Sequence, residues 1–322
     1  MSEADLETGT SGIHHITAIA GDPRRNAAFY TDILGLRMIK QTVNFDNPKT
    51  YHLYYGDETG SPGTILTFFP MPDAPRSVRG SAEASQTAFV IPQAALAFWL
   101  NRLTEKNIPF EGPFTRFGEK TIVFLDPDGM TLELVAQPGI ELHPGRDHAD
   151  IPAEYAIRSF AGITIWSSDP DATGAVLGLM GYHKGETQAG MTRWNTGHTG
   201  FAPWIDVKDA GRIARHRSGA GSVHHVAFRA VDDAHQARMA EVIRNTGLNV
   251  TEQRDRHYFR SVYFQEPGGV LFEIATDLPG FSVDEPIETM GQSLKLPDWL
   301  ELRRAELEAA LQPLGLNSIV SN

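Results

Sequence analysis

Two adjacent-histidine pairs, His14-His15 and His224-His225, each open a short apolar run, and one acid, Glu273, lies inside a third run of the same kind. Two imidazoles and one carboxylate on one face of an octahedron suit a divalent metal of the iron type, because the remaining positions stay free for substrate and dioxygen. One His of each pair together with Glu273 supplies that set. A single strand histidine is more often a satisfied core or surface group than a ligand. The case therefore rests on whether the chain brings the two pairs together.

An internal repeat addresses that question. FLDPDGMTLELVA (124 to 136) matches YFQEPGGVLFEIATD (263 to 277), with Asp126, Pro127, Gly129 and Glu133 falling on Glu266, Pro267, Gly269 and Glu273 at a constant offset of 140. Strand-like runs flanking a Pro-Gly turn read as a hairpin. Ahead of each hairpin lies a stretch with apolar residues at helical spacing, and ahead of that another strand, QTAFVI or HHVAFRA. HHITAIAGDPRRNAAFYTDILGL and AGITIWSSDPDATGAVLGLMGY form a second related pair, placing Thr17 on Thr164 and Asp22 on Asp169 at an offset of 147.

The pattern predicts four modules of strand, helix and three strands, an α+β chain rich in antiparallel sheet. It divides into an N-terminal two-module domain (12–136), a C-terminal one (158–280) and a tail (281–322) carrying one amphipathic helix that packs across the body. Residues 137 to 157 read as the linker.

Composition narrows the partners. The 322 residues carry 40 acids against 28 Lys and Arg, a net charge of −12, which argues against nucleic acid and anionic membranes and for a small molecule. With no Cys, thiolate metal sites and a Cys nucleophile are excluded. The acidic, polar start and the lack of any apolar run of about 18 residues predict a cytoplasmic chain. A homo-oligomer is compatible with all of this, and the number of subunits is left open.

The arrangement resembles the vicinal oxygen chelate superfamily (glyoxalase, bleomycin resistance and extradiol dioxygenase proteins), whose paired βαβββ modules curl into cups around a metal. GIHHITAI, YHLYYGD, PGTILTFFP, DRHYFRSVYFQEPGGVLFEIATD and the LPDWLELRRAELEAAL tail are similar to the ring-cleaving dioxygenases of that superfamily that open hydroquinones, over about residues 12 to 315. The resemblance implies ligands on the first and last strands of a module. The cup of modules 1 and 4 then holds His15, His225 and Glu273, with Thr67 at the fourth position, where a glyoxalase-like lyase typically presents a second carboxylate. The cup of modules 2 and 3 offers Gln86, Glu133 and Gly162, a poor metal site. One Fe(II) per chain follows, with a small aromatic diol and dioxygen as partners.

The resemblance also carries Tyr263, Arg256, Thr17, His14 and His224 to the metal's surroundings or the substrate pocket. Strand alternation agrees for Thr17 with His15, and for Tyr263 if the hairpin loop is Pro267, Gly268 and Gly269. It sends His14 and His224 away from their neighbours unless the strand begins at the second His. In the simplest reading Arg256 and Arg260 are solvated charges or partners of Asp255 and Glu266. His52 supports the barrel, Glu133 is structural, and His257 departs from the aromatic expected of the family. His143, His148, His183, His198, His216 and His235 lie in polar stretches without a role. The rivals are a catechol extradiol dioxygenase, a Zn- or Ni-dependent lyase or isomerase, and an aromatic-binding resistance protein without chemistry.

Overall fold

The computed structural model describes residues 9–197 and 202–315; His198 lies outside them. The first module is β1 (Ile13–Ala20), α1 (Pro23–Ala28), β2 (Arg37–Asn44), β3 (Asn47–Gly56) and β4 (Ile65–Pro70). The second is β5 (Glu83–Pro92), α2 (Leu96–Glu105), β6 (Phe110–Arg116), β7 (Glu119–Leu125) and β8 (Thr131–Gln137). The third is β9 (Ser159–Ser167), α3 (Pro170–Leu179), β10 (His183–Gln188), β11 (Met191–Asn195) and β12 (Trp204–Asp209). The fourth is β13 (Ser222–Ala230), α4 (Asp233–Arg244), β14 (Arg254–Asp255), β15 (Arg260–Gln265) and β16 (Leu271–Thr276).

These strands form two curled eight-stranded sheets, ordered β14-β15-β16-β13-β1-β4-β3-β2 and β10-β11-β12-β9-β5-β8-β7-β6. Each sheet joins one module from each half of the chain, through the antiparallel seams β1–β13 and β5–β9. Within every module the first strand runs parallel to the last, and the other neighbours are antiparallel. The first sheet thus unites modules 1 and 4, which carry the two histidine pairs and Glu273.

The repeated phrases have physical jobs. Asp22 and Asp169 each precede a proline at a helix start, and each carboxylate accepts a backbone N–H, from Arg25 at 2.9 Å and from Ala172 at 3.0 Å; this satisfies a donor the helix leaves open. Asp126 and Glu266 do the equivalent for the hairpins. Asp126 accepts the N–H groups of Asp128 and Met130, and Glu266 accepts those of Gly268 and Val270. Each acid also ties its hairpin to a helical segment of another module, through the Tyr30 and Thr173 hydroxyls. The main core lies between the helices and the sheets, with Trp99, Leu103, Leu177, Met239 and Ile243 fully buried. Each such side chain contributes about 1.5–3 kcal/mol of burial.

The tail forms two short helices, α5 (Asp298–Glu301) and α6 (Arg304–Ala310), where the sequence predicts one. The first turn closes with the tighter three-residue bonds Leu300 N to Pro297 O and Arg303 N to Leu300 O, so it does not continue as one α-helix. Leu296, Leu300, Leu307 and Leu311 pack on Val43, Phe45 and Tyr51 of module 1. No helix among the described residues is long and apolar enough to cross a membrane.

Candidate metal centre

The β1–β13 seam carries two register shifts, one on each strand. Ile13 pairs with Phe228 and His15 with Ala227, so His14 is an extra residue on β1. Thr17 pairs with His225 and Ala18 with Val223, so His224 is the extra residue on β13. A bulge re-aims a side chain that alternation would send to the other face. This corrects the expectation that the first His of each pair points away. Nδ1 of His14 lies 2.9 Å from Nδ1 of His15, and Nδ1 of His224 lies 2.8 Å from Nδ1 of His225. The seam between β5 and β9 repeats the bulges at Ser85 and Ala161.

His15, His225 and Glu273 converge, all three buried. Nε2 of His225 is 3.4 Å from Nε2 of His15, and Oε2 of Glu273 is 2.8 Å from the former and 3.5 Å from the latter. Adjacent octahedral ligands at about 2.1 Å from a metal are separated by roughly 3 Å, which is the scale of this triangle. The Ser261 hydroxyl donates to Oε1 of Glu273, while Oε2 is buried with no hydrogen-bond partner. A buried, unsatisfied carboxylate oxygen facing two imidazole nitrogens is the donor set a divalent cation completes.

The electrostatics favour an ionised carboxylate. Burial alone would raise the Glu273 carboxyl, but His15 and His225 outweigh it and hold the group well below the usual range. Burial lowers the His225 imidazole despite the attraction of Glu273. A metal binds the ionised carboxylate and the neutral form of an imidazole. If the Nε2 lone pairs of His15 and His225 face a metal, their protons sit on Nδ1 and are donated to Nδ1 of His14 and His224. The Nε2 atoms of those outer rings then carry N–H.

The outer pair diverges in setting. His14 is 2% exposed, its ring 5.4 Å from that of Phe259, and it does not line the cavity. His224 opens into a cavity of about 400 Å³ that His15, His225, Glu273 and Tyr263 also line. Desolvation inside the cup and the neighbouring His225 lower the His224 imidazole, although the residue is solvent-exposed at the cavity mouth.

Tyr263 pairs directly with Glu273 across the β15–β16 hairpin, and its ring centroid is 5.8 Å from that of His225. Burial and Glu273 raise its phenol, so it stays protonated. Arg256 Nε donates to the Tyr263 hydroxyl at 3.1 Å, and its Nη1 pairs with Asp46 Oδ2 at 3.1 Å across to the β2–β3 turn. Asp255 instead accepts the His257 N–H, and Arg260 pairs with Asp233, so the simple pairing of both arginines with Asp255 and Glu266 is not the observed one. His257 adopts φ +69° and faces Asp284 at 3.5 Å, away from the cavity lining.

Thr67 donates to Thr17 at 2.9 Å, and its oxygen lies 2.8 Å from Nε2 of His52, whose Nδ1 meets the Tyr54 hydroxyl at 2.8 Å. Burial, then His15 and His225, push the His52 imidazole well down. His52 lines the cavity, which the sequence reading did not anticipate. Ser261 and Phe259 also escaped it, although Ser261 shares the face of Tyr263 by alternation. Phe259 packs its ring 4.8 Å from His15.

The second cup is packed differently. Arg116 makes two hydrogen bonds to Glu133, one of them 3.0 Å long. A Cβ at Gly162 would meet the Trp204 ring at 2.3 Å, and Arg193 stacks on that ring at 4.1 Å while binding Asp206. The acid is taken and the space is filled.

Comparison with known proteins agrees with this architecture. Residues 12–134 and 159–274 match the model of the Glyoxalase/Bleomycin resistance protein/Dioxygenase superfamily. The chain is 44% identical over 312 residues to the Bacillus subtilis protein named "Putative ring-cleaving dioxygenase MhqO", covering 96% of this chain and 98% of the relative. It is 31% identical over 309 residues to "Chlorohydroquinone/hydroquinone 1,2-dioxygenase" of Sphingobium indicum, covering 94% and 96%. A crystal structure titled as a "putative dioxygenase" from Bacillus subtilis superimposes with a TM-score of 0.90 at 43% identity, covering 95% and 98%. With both halves matched and the two cups built from the expected modules, the chain belongs to the Glyoxalase/Bleomycin resistance protein/Dioxygenase superfamily.

Proposed function

We propose that the protein is an Fe(II)-dependent dioxygenase that opens hydroquinone-type, para-diol rings with dioxygen. The observation that carries the reading is the donor set: two imidazoles and one carboxylate converge on one point, and Thr67 is engaged by Thr17 and His52 instead of offering a fourth ligand. Three protein ligands leave room for diol and dioxygen together. The names of the two curated relatives support the same class.

Iron, when bound, supplies the redox chemistry that lets dioxygen react with an aromatic diol. The chain's own residues do the rest. His15, His225 and Glu273 would hold the ion, with His14, His224 and Ser261 fixing the orientation of those ligands. Tyr263, kept protonated by burial beside Glu273, can donate its hydroxyl proton to a substrate phenolate oxygen. Arg256 holds that hydroxyl and carries positive charge beside the developing anion. His224, which lines the cavity, is a second hydrogen-bonding group. Thr17 fixes the wall through Thr67.

The test is oxygen uptake by anaerobically iron-loaded protein offered hydroquinone, methylhydroquinone and catechol, with iron, zinc, nickel and manganese quantified in the purified chain. Uptake with hydroquinones supports the proposal. Faster cleavage of catechol than of every hydroquinone would move it to an ortho-diol enzyme. No uptake, with isomerisation of a thiol hemiacetal, would make it a lyase.

A further inference from the structure

Arg254 is the unexplained charge of the cavity. Its guanidinium lies 5.8 Å from the centroid of the Tyr263 ring, which Arg256 also flanks at 5.4 Å, and it lines the cavity. The two arginines differ in what they are doing. Arg256 is committed to Asp46 and the Tyr263 hydroxyl. Arg254 has neither an ion pair nor a side-chain hydrogen bond among the described residues; its strand contact is the backbone pairing with Ser261. Two acids of this wall are engaged elsewhere, Asp46 by Arg256 and Asp255 by the His257 N–H. Asp233 is held by Arg260 and Gln253.

Arg254 is exposed at the cavity's edge, so its guanidinium can exchange water for an anionic group of a ligand. Five N–H donors in a planar fork match a carboxylate in a way that water or a neutral substituent does not. The cavity also has space to use it. About 150 Å³ is enough to hold a benzene ring, whereas this cavity is about 400 Å³. Besides His15, His225 and Glu273, the cavity is lined by apolar Phe45, Met71 and Leu271 and by the charged Asp46, Arg254 and Arg256, of which Asp46 and Arg256 neutralise each other.

We propose that Arg254 is a specificity-determining residue that binds an anionic ring substituent, so that the preferred substrates are aromatic diols carrying a carboxylate. The inference rests on the para-diol reading for the ring and adds the charged group. Arg254 forks onto the carboxylate while Arg256 stays with Asp46 and Tyr263, and the apolar wall takes the unsubstituted ring edge.

Binding of 2,5-dihydroxybenzoate and of its methyl ester to the protein, without oxygen, separates charge from size. Calorimetric titration is run on the iron-loaded chain and on the metal-free chain, so that chelation of iron by the acid cannot produce the result. The acid should bind more tightly than the ester to both forms. Arg254→Gln should reduce the acid-to-ester affinity ratio by roughly 10- to 100-fold, the effect of a lost charge-assisted pair, with Arg254→Lys recovering part of it. Raising salt should lower the ratio for the native chain and not for Arg254→Gln. A ratio unchanged by Arg254→Gln, or one abolished only by Arg256→Gln, overturns the assignment. Failure of the para-diol reading looks different: the iron-loaded native chain would then consume no oxygen with any hydroquinone, whatever the ratio.

Discussion

Oε2 of Glu273 lies 2.8 Å from Nε2 of His225, fully buried, yet has no hydrogen-bond partner. A carboxylate oxygen there is satisfied either by a cation or by an imidazole that carries its proton on Nε2, the form that cannot ligate a metal. Glu273→Ala should therefore lower metal affinity by more than about 100-fold, exceeding the 10- to 100-fold typical of a supporting partner. His15→Ala and His225→Ala should match it. Metal content after dialysis against a weak chelator measures this, and retention of a full equivalent by Glu273→Ala would end the proposal that these residues bind the ion.

His14 supports His15 without reaching the cavity. His14→Phe keeps a ring against Phe259 but removes the acceptor at Nδ1. Metal affinity should fall by roughly 10- to 100-fold, while circular dichroism stays native. An affinity equal to that of the unaltered chain would show that the bulged His14 is only packing.

Much of the centre is legible in the amino-acid sequence. The offset of 140 identifies Glu273 and its hairpin, and the Asp-Pro phrases identify two helix starts that the structure caps with Asp22 and Asp169. Pairing of modules 1 and 4 into one sheet followed from the family resemblance, since no local pattern reports which modules meet. Alternation misread His14 and His224, because a bulge adds one residue to a strand without leaving a compositional mark. The Arg256–Asp46 and Lys40–Asp284 pairs span 210 and 244 residues. Charges that distant in sequence carry no spacing rule.

Tyr263 combines a raised phenol with a direct cross-strand position opposite Glu273. Tyr263→Phe removes only the hydroxyl. Turnover should slow by roughly 10- to 10⁴-fold, the span of lost acid-base and hydrogen-bond contributions, with metal content unchanged. Equal turnover by oxygen electrode would remove Tyr263 from proton handling.

Burial pushes the Asp126 carboxyl up to about 6. The unfolded chain ionises this group near pH 4, so the fold loses stability as pH rises from about 4 to 6 and levels off above. The span is roughly 3 kcal/mol. Asp126→Asn can keep the acceptor for the Asp128 and Met130 N–H groups and has no such loss. Unfolding by urea at pH 4.5 and pH 7 should show the variant gaining on the native chain at the higher pH. A pH-independent difference would contradict a neutral buried carboxyl.

Lys40 links the tail to the metal centre. Its ammonium is fully buried and donates to Asp284 Oδ1 at 2.6 Å, to Glu285 and to the Phe281 carbonyl at 3.0 Å. Phe281 stacks on Tyr258 at 5.0 Å and lies in one cluster with Phe259, the ring that packs on His15. Lys40→Met removes the buried cation shared by Asp284 and Glu285, leaving Asp284 to Tyr258 and His257 and Glu285 to the Gly291 N–H and Lys295; breaking a buried pair on one side costs up to about 3–5 kcal/mol. The melting temperature should drop accordingly. Because the released segment carries Phe281, protease sensitivity near residues 281–296 should rise and metal affinity should weaken in the same variant. Loss of stability with unchanged metal affinity would show that the tail braces the sheet without bracing His15.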